Sequence, residues 1–185
     1  MNKLPAMEEY SEIVKDAFAS KSSFYIFNST KEHAEIIMKN IVASAESEIL
    51  FFTGCDESFF SKDKSLVDAL VKKSKKVKIK IIQDCNSPEI LSNKISLSAA
   101  NCEIYNLVDS FDHIDLGTLI PRTGYDKVKH FIVADRRAFR AEIPHKPGEE
   151  IVQAIASPNT PNVAARLADL FNLLIEKKHA VSLPV

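Results

Sequence analysis

The feature that most constrains this chain is the alternation of short apolar runs with amphipathic helical segments. Residues 48–53 form an apolar run that ends at Gly54, as expected for a strand buried on both faces. Val77, Ile79 and Ile81 alternate with lysines and predict the next strand. Before the first run, apolar side chains recur at helical spacing and predict one buried helix face: Ala34, Ile37, Met38, Ile41, Val42 and Ala45. This alternation favours an α/β fold.

The ends of the first elements have local sequence signals. Ser29 and Glu32 have the spacing of a capping box, which predicts that the helix begins there. Residues 23–27 are aromatic and β-branched and predict a strand. His33 and His179 lie near predicted helix ends, where we expect them at the surface. Residues 5–20 predict an amphipathic helix with four apolar side chains on one side: Tyr10, Ile13, Val14 and Phe18.

The second half of the chain changes to a different order of elements. Residues 102–105 predict a strand, and residues 106–126 lack periodicity and are interpreted as a long loop. The strands predicted at 129–134 and 138–143 are three residues apart, which favours an antiparallel hairpin. A strand at 150–156 and a final helix over about 162–178 follow. The apolar face of that helix comprises Val163, Leu167, Leu170, Phe171, Leu174 and Ile175.

We therefore predict a mixed β-sheet flanked by helices on both faces. The length of 185 residues suits a single domain over residues 1–185, with residues 1–20 as an N-terminal helical extension. A helix over residues 88–100 is also predicted, because Pro88 suits a first helical turn.

Charge and composition exclude several functions. Lys plus Arg number 24 and Asp plus Glu number 25, so the net charge of -1 argues against a generic nucleic-acid or membrane coat. No apolar run approaches the roughly 18–20 residues of a membrane span, and the N-terminus has no apolar signal core. The cysteines lack CxxC spacing, so they are predicted to be reduced thiols of a cytoplasmic protein: Cys55, Cys85 and Cys102.

No cofactor and no metal are predicted. The chain has no Gly-rich phosphate loop and no G-x-S-x-G elbow. The acidic segment with Asp109, Asp112, His113 and Asp115 matches no calcium loop and is interpreted as a solvated loop. The six lysines from Lys72 to Lys80 are interpreted as helix-end and strand-surface residues, with phosphate binding as the alternative.

The order of elements resembles the phospholipase D-like superfamily over roughly residues 30–178. The hairpin strand at 129–135 lies where that superfamily has its H-x-K-x4-D motif, and the terminal LADLFNLL helix also fits. The resemblance implies cleavage of phosphodiester bonds through a phosphohistidine. It also implies that a single module dimerises to assemble a site.

The motif itself is degenerate in this chain. Aligned on Asp135, the nucleophile position holds Val128 and the lysine position holds His130. The family's G-S-x-N falls on residues 142–145 and has no match there. Valine has no lone pair for nucleophilic attack, so we expect the usual chemistry to be absent.

A polar cluster is nevertheless predicted on the hairpin. Alternate residues of a strand face the same side, so Val128, His130 and Ile132 should share a face, and so should Ala138, Arg140 and Glu142. If the two strands pair, His130, Arg140 and Glu142 should lie close together. Arg140 and His130 could then bind an anion, with Glu142 orienting them. The candidate anion- or ligand-binding residues are His130, Asp135, Arg140, Glu142 and His145. The alternatives are a satisfied polar network and, less favoured, catalysis.

Two functional hypotheses follow. The first is a catalytically inactive phospholipase D-like module that acts in binding or as a scaffold, with a phosphate-containing ligand or a protein as partner. The second is a phosphodiesterase or nuclease that uses His130 in an altered site.

A homodimer through the hairpin face is expected, and the competing arrangement is a monomer in which the N-terminal helix covers that face. Nucleic acid stays open as a partner.

Overall fold

The computed structural model describes residues 7–54, 64–84, 101–108, 114–120, 125–143 and 153–182. In these ranges the helices are Met7–Ala19 (α1), Lys31–Ser44 (α2), Lys64–Ser74 (α3) and Pro161–Glu176 (α4). The first strands are Ile26–Asn28 (β1), Glu48–Gly54 (β2), Lys78–Asp84 (β3), Cys102–Leu107 (β4) and Ile114–Ile120 (β5). The others are Tyr125–Val128 (β6), Phe131–Ala134 (β7), Ala138–Glu142 (β8), Ala154–Ser157 (β9) and Ala180–Ser182 (β10).

Eight of these strands form one mixed sheet, in the order β1-β9-β8-β7-β2-β3-β4-β10. The strands β2, β3 and β4 pair in parallel, and every other pairing in this sheet is antiparallel. The carboxyl ends of the three parallel strands therefore lie at one edge, which we call the carboxyl edge. The strands β5 and β6 form a separate antiparallel pair.

Helices cover both faces of the large sheet, which confirms the predicted α/β architecture. On one face, called here the α1 face, apolar residues of α1, α2 and α3 pack on alternate sheet residues such as Phe51, Ile79 and Ile132. On the other, called the α4 face, the buried side of α4 packs on Leu50, Phe52 and Phe139. The predicted apolar faces of α2 and α4 are buried, although Leu170 and Ile175 are only partly so.

The β7–β8 hairpin confirms the predicted antiparallel connection. Asp135 and Arg136 have φ of 51° and 54°, and the Arg137 N–H donates to the Ala134 carbonyl at 3.0 Å. Two successive residues with positive φ are typical of a tight hairpin turn, because their twist matches that of the strands.

Several local predictions are wrong. Thr30, not Ser29, caps α2, and its Oγ1 accepts the His33 N–H at 3.2 Å. Residues 114–120 and 125–128 are strands rather than a loop, and they pair with each other. Ile13 is exposed, while Ala17 takes a place in the buried face of α1. The strand β10 has no counterpart among the predictions.

Other predictions lie outside the described residues. These are the helix at 88–100 and the positions of Cys55, Cys85, Asp109, Asp112, His113 and His145. In the part of the chain that the structure describes, no helix is both long and apolar enough to cross a bilayer.

Candidate functional site

A polar cluster lies at the carboxyl edge, where β7 begins and β8 ends. His130 directly precedes β7, and Glu142 is the last residue of β8. The Glu142 N–H donates to the His130 carbonyl at 2.8 Å, so the two residues are neighbours across the hairpin. Arg140 lies two residues before Glu142 and therefore on the same face of β8.

The side chains form a continuous polar chain. His130 Nδ1 lies 3.5 Å from Glu142 Oε1, and Arg140 Nη1 lies 3.7 Å from Glu142 Oε2. Arg140 Nε donates to Asn28 Oδ1 of β1 at 3.2 Å. We call His130, Glu142, Arg140 and Asn28 the carboxyl-edge cluster. The structure thus brings together three of the five residues that the sequence nominated.

The solvent exposure of the side chains decreases through the carboxyl-edge cluster, from His130 to Arg140. The exposed fractions of the side chains are 21% for His130, 13% for Glu142 and 7% for Arg140. A ligand entering from solvent would therefore meet the imidazole first and the guanidinium last.

Arg140 belongs to an otherwise apolar row on the α1 face. Its partners across the sheet are Ile132 and Ala156, and both are buried. Burial lowers the pKa of Arg140, and the negative charge of Glu142 acts against that decrease. Arginine nevertheless stays protonated in proteins, so a cation lies beneath the carboxyl edge.

Gly54 fixes the position of the imidazole. A Cβ at Gly54 would lie 2.8 Å from both Cε1 and Nε2 of His130, so any larger residue would displace the ring. On another side, the Phe52 ring meets the imidazole edge to face, with centroids 6.1 Å apart. The backbone of β2 and an aromatic ring thus hold His130 toward Glu142.

Asp135 lies away from this cluster, at the other end of β7. Its carboxylate accepts hydrogen bonds from the N–H groups of Glu46, Ser47 and Glu48 at 2.8–3.0 Å, and from Ser47 Oγ at 2.7 Å. Burial acts to raise the pKa of Asp135, but these hydrogen bonds outweigh it and lower the pKa. The residue holds the segment that leads into β2, and the structure does not bring it to His130.

Val128 lies on the opposite face of the sheet from Ile132, so the prediction that they share a face is wrong. Val128 is buried with the α4 face, whereas Ile132 packs on the α1 face. The strand is interrupted at Lys129 and His130, between β6 and β7, and this interruption breaks the alternation that the sequence suggested. Val128 is 2% exposed.

Sequence reasoning missed three residues around the cluster. Asn28 is 126 residues from Ala154, to whose carbonyl its Nδ2 donates at 3.2 Å, and no local pattern signals such a contact. Tyr10 and His33 stack with ring centroids 3.8 Å apart, and both are buried, so the prediction that His33 is at the surface is wrong. For the Gly54 contact, the sequence signal is a glycine at the end of an apolar strand.

The six lysines between 72 and 80 lie around the amino end of β3, at the opposite edge of the sheet from the carboxyl-edge cluster. Lys72 and Lys73 are in the last turn of α3, and Lys78 pairs with Glu103 at 2.8 Å. Among the described residues, no group of three or more His, Cys, Asp or Glu is arranged to hold a metal ion.

Comparisons with known proteins show the fold alone. No family model matches the chain, and no curated protein matches it. It is similar to TrmBL2, an archaeal chromatin protein whose structure shows a novel mode of DNA binding, with 19% identity and a TM-score of 0.62 over 95% of this chain. It is also similar to phosphatidylserine synthase of Haemophilus influenzae Rd KW20, a phospholipase D-like enzyme, with 10% identity and a TM-score of 0.52 over 86% of this chain.

The chain spans 60% of the length of the TrmBL2 chain and 39% of that of the synthase. Both similarities concern the fold, and the synthase is consistent with the α/β architecture described above. The two neighbours are, respectively, a DNA-binding protein and an enzyme, so they point to different functions.

Proposed function

We propose that this chain is a catalytically inactive, phospholipase D-like binding module whose carboxyl-edge cluster recognises a phosphate-containing ligand. The observation that supports the proposal is the series of side-chain contacts from His130 through Glu142 to the buried Arg140. A guanidinium and an imidazole are the donors that phosphate recognition uses most, and burial strengthens their hydrogen bonds to an anion.

The absence of catalysis follows from what occupies the motif positions. A phosphohistidine cannot form on Val128, which has no lone pair and is packed among apolar side chains of the α4 face. Asp135 is used to hold the segment before β2. The cluster retains groups that bind an anion and lacks the group that would attack one.

One observation favours the second candidate, a phosphodiesterase or nuclease that uses His130. A carboxylate on Nδ1 of a histidine orients the ring so that Nε2 can take up a proton, and Glu142 Oε1 lies 3.5 Å from Nδ1. However, the position of the family's nucleophile is held by Val128, which is buried and has no lone pair, and this favours the binding function.

The test combines a hydrolysis assay with a binding assay on the same protein. We expect no hydrolysis of bis-p-nitrophenyl phosphate or of duplex DNA above background, with or without Mg²⁺. Calorimetry should detect binding of inorganic phosphate, which His130→Gln abolishes. His179→Gln is the matched control and should bind phosphate as the wild type does.

Three outcomes would argue against this function. Hydrolysis that His130→Gln removes from a folded protein supports the enzyme instead. Equal phosphate affinity in the wild type and His130→Gln places any phosphate site elsewhere. A short DNA duplex titrated in place of phosphate distinguishes the sources, since tight duplex binding that persists in His130→Gln would indicate a nucleic-acid surface outside the cluster.

A further inference from the structure

We propose that Tyr10 of α1 and Arg140 form an inner seat for one oxygen of a terminal phosphate group, at the closed end of the carboxyl-edge cluster. This inference rests on the proposed function and names its ligand more narrowly. The starting observation is a buried polar atom: Tyr10 is 7% exposed, and its hydroxyl has no hydrogen-bond partner within the described residues.

Three observations place Tyr10 near the cluster. Its ring stacks on His33, which lies in the first turn of α2, three residues after the cap Thr30. The chain between β1 and that cap is one residue long, and Asn28 at the end of β1 accepts the Arg140 hydrogen bond. Tyr10 also packs in the same apolar core as Ala156 and Ile132, the two cross-strand partners of Arg140.

Arg140 has donors to share with an added acceptor. A guanidinium carries five N–H groups. In the described part of the structure, Arg140 Nε donates to Asn28, and Arg140 Nη1 lies 3.7 Å from Glu142 Oε2. A phosphate oxygen is the acceptor that such a fork of N–H groups binds best.

The Tyr10 hydroxyl suits the same oxygen. Burial raises the pKa of Tyr10 to about 12, and the positive charge of Arg140 acts against that rise, so the group stays a protonated donor at neutral pH. An unpaired buried hydroxyl is costly to the free protein, and an entering anion would relieve that cost. The hydroxyl is thus explained by a bound ligand better than by the stability of the unliganded fold.

The closed end of the seat selects the kind of phosphate. Tyr10, His33 and Asn28 are all buried, whereas His130 is 21% exposed, so among the described residues the approach from solvent lies beside His130. A phosphate that carries substituents on two sides would need a second way out. A terminal phosphate, with its free oxygens leading, fits this shape.

The experiment compares Tyr10→Phe with Tyr25→Phe. Tyr25 meets Phe139 on the α4 face, so its variant is the same change on the opposite side of the sheet. Inorganic phosphate and dimethyl phosphate are titrated by calorimetry, and melting temperatures are recorded in phosphate-free buffer. We expect Tyr10→Phe to weaken phosphate binding about tenfold, which is about 1.4 kcal/mol. It should also raise the melting temperature by roughly 2–4 °C.

The control variant and the second ligand should give different results from Tyr10→Phe with phosphate. Tyr25→Phe should bind phosphate as the wild type does, and dimethyl phosphate should bind at least tenfold more weakly than phosphate. The seat is overturned if the wild type binds phosphate but Tyr10→Phe binds it equally well, if Tyr10→Phe lowers the melting temperature, or if dimethyl phosphate binds as tightly as phosphate. A wild type that binds no phosphate overturns the proposed function together with the seat.

Discussion

His130 and Asp135, at opposite ends of β7, have separate roles. His130 is part of the carboxyl-edge cluster, whereas Asp135 accepts three backbone N–H groups and one hydroxyl at the other end of β7. The sequence predicted the hairpin that contains Asp135, but the role of this residue depends on a segment more than 80 positions away. Asp135 is therefore a stabilising residue, and its effect should be visible without any ligand.

We expect Asp135→Asn to lower the free energy of unfolding by about 1.5–3 kcal/mol at pH 7, since hydrogen bonds to a charged group contribute that much. Asparagine tolerates the positive φ of this turn, so the change isolates the carboxylate. Urea denaturation measures it. The control is Asp169→Asn, an exposed partner of Arg136, which should cost less than about 1 kcal/mol.

The pH dependence of this effect has a defined sign. The pKa of Asp135 is lowered in the folded state, so its carboxylate stabilises the fold above the unfolded-state pKa of about 3.9. That stability is lost as the pH falls through the folded-state pKa. The difference between wild type and Asp135→Asn should therefore narrow in acid, and a difference that stays constant from pH 7 to pH 3 would contradict the role.

Gly54 gives a second prediction at this scale. Because a Cβ there would collide with the imidazole, Gly54→Ala should rotate His130 away from Glu142 and reduce phosphate binding as much as His130→Gln does. Calorimetry on both single variants and the double variant measures this. The two changes should not add, since they act on one ring, and additive losses would mean that Gly54 acts on something else.

At the scale of elements, packing decides what sequence can predict. The apolar faces of α2 and α4 and the β7–β8 hairpin were predictable because each depends on local periodicity or turn chemistry. The pair β5–β6 and the interruption at His130 were not, because strand breaks in a β-like segment leave no local signal. The Tyr10–His33 stack could not be predicted either, because it depends on how α1 crosses α2.

The packing of α4 makes a direct prediction. Phe171 is fully buried and meets Phe131 edge to face, with centroids 6.5 Å apart. Phe171→Ala should lower the free energy of unfolding by about 3–5 kcal/mol, as large truncations in cores do. Leu173→Ala on the exposed side of the same helix, where the residue is 44% exposed, should change it by only about 0.5 kcal/mol. Equal effects in thermal or urea unfolding would show that α4 is not held by this face.

At the scale of the whole molecule, we expect the chain to self-associate through the face that bears His130. The phospholipase D-like resemblance implies a second copy to complete a pocket, and an isologous contact would place His130 near the two-fold axis. Arg140 is buried and so cannot make that contact itself. Light scattering at micromolar concentration should give a mass near twice 20.6 kDa.

A charge reversal identifies the contact face. Lys129 neighbours His130 and is partly exposed, so Lys129→Glu should shift the mass toward that of a single copy. Lys72→Glu, at the opposite edge of the sheet, should leave the mass unchanged. A wild-type mass near 20.6 kDa would contradict the dimer and favour a monomer with α1 as the cover of this face.

The central claim is that the carboxyl-edge cluster binds phosphate without cleaving it. The most direct measurement is a crystal structure determined in the presence of saturating inorganic phosphate. We predict an anion between His130 and Arg140, with one oxygen in contact with the guanidinium. A cluster that holds no anion, with Arg140 still bonded to Asn28 and paired with Glu142 as in the present structure, would contradict the account.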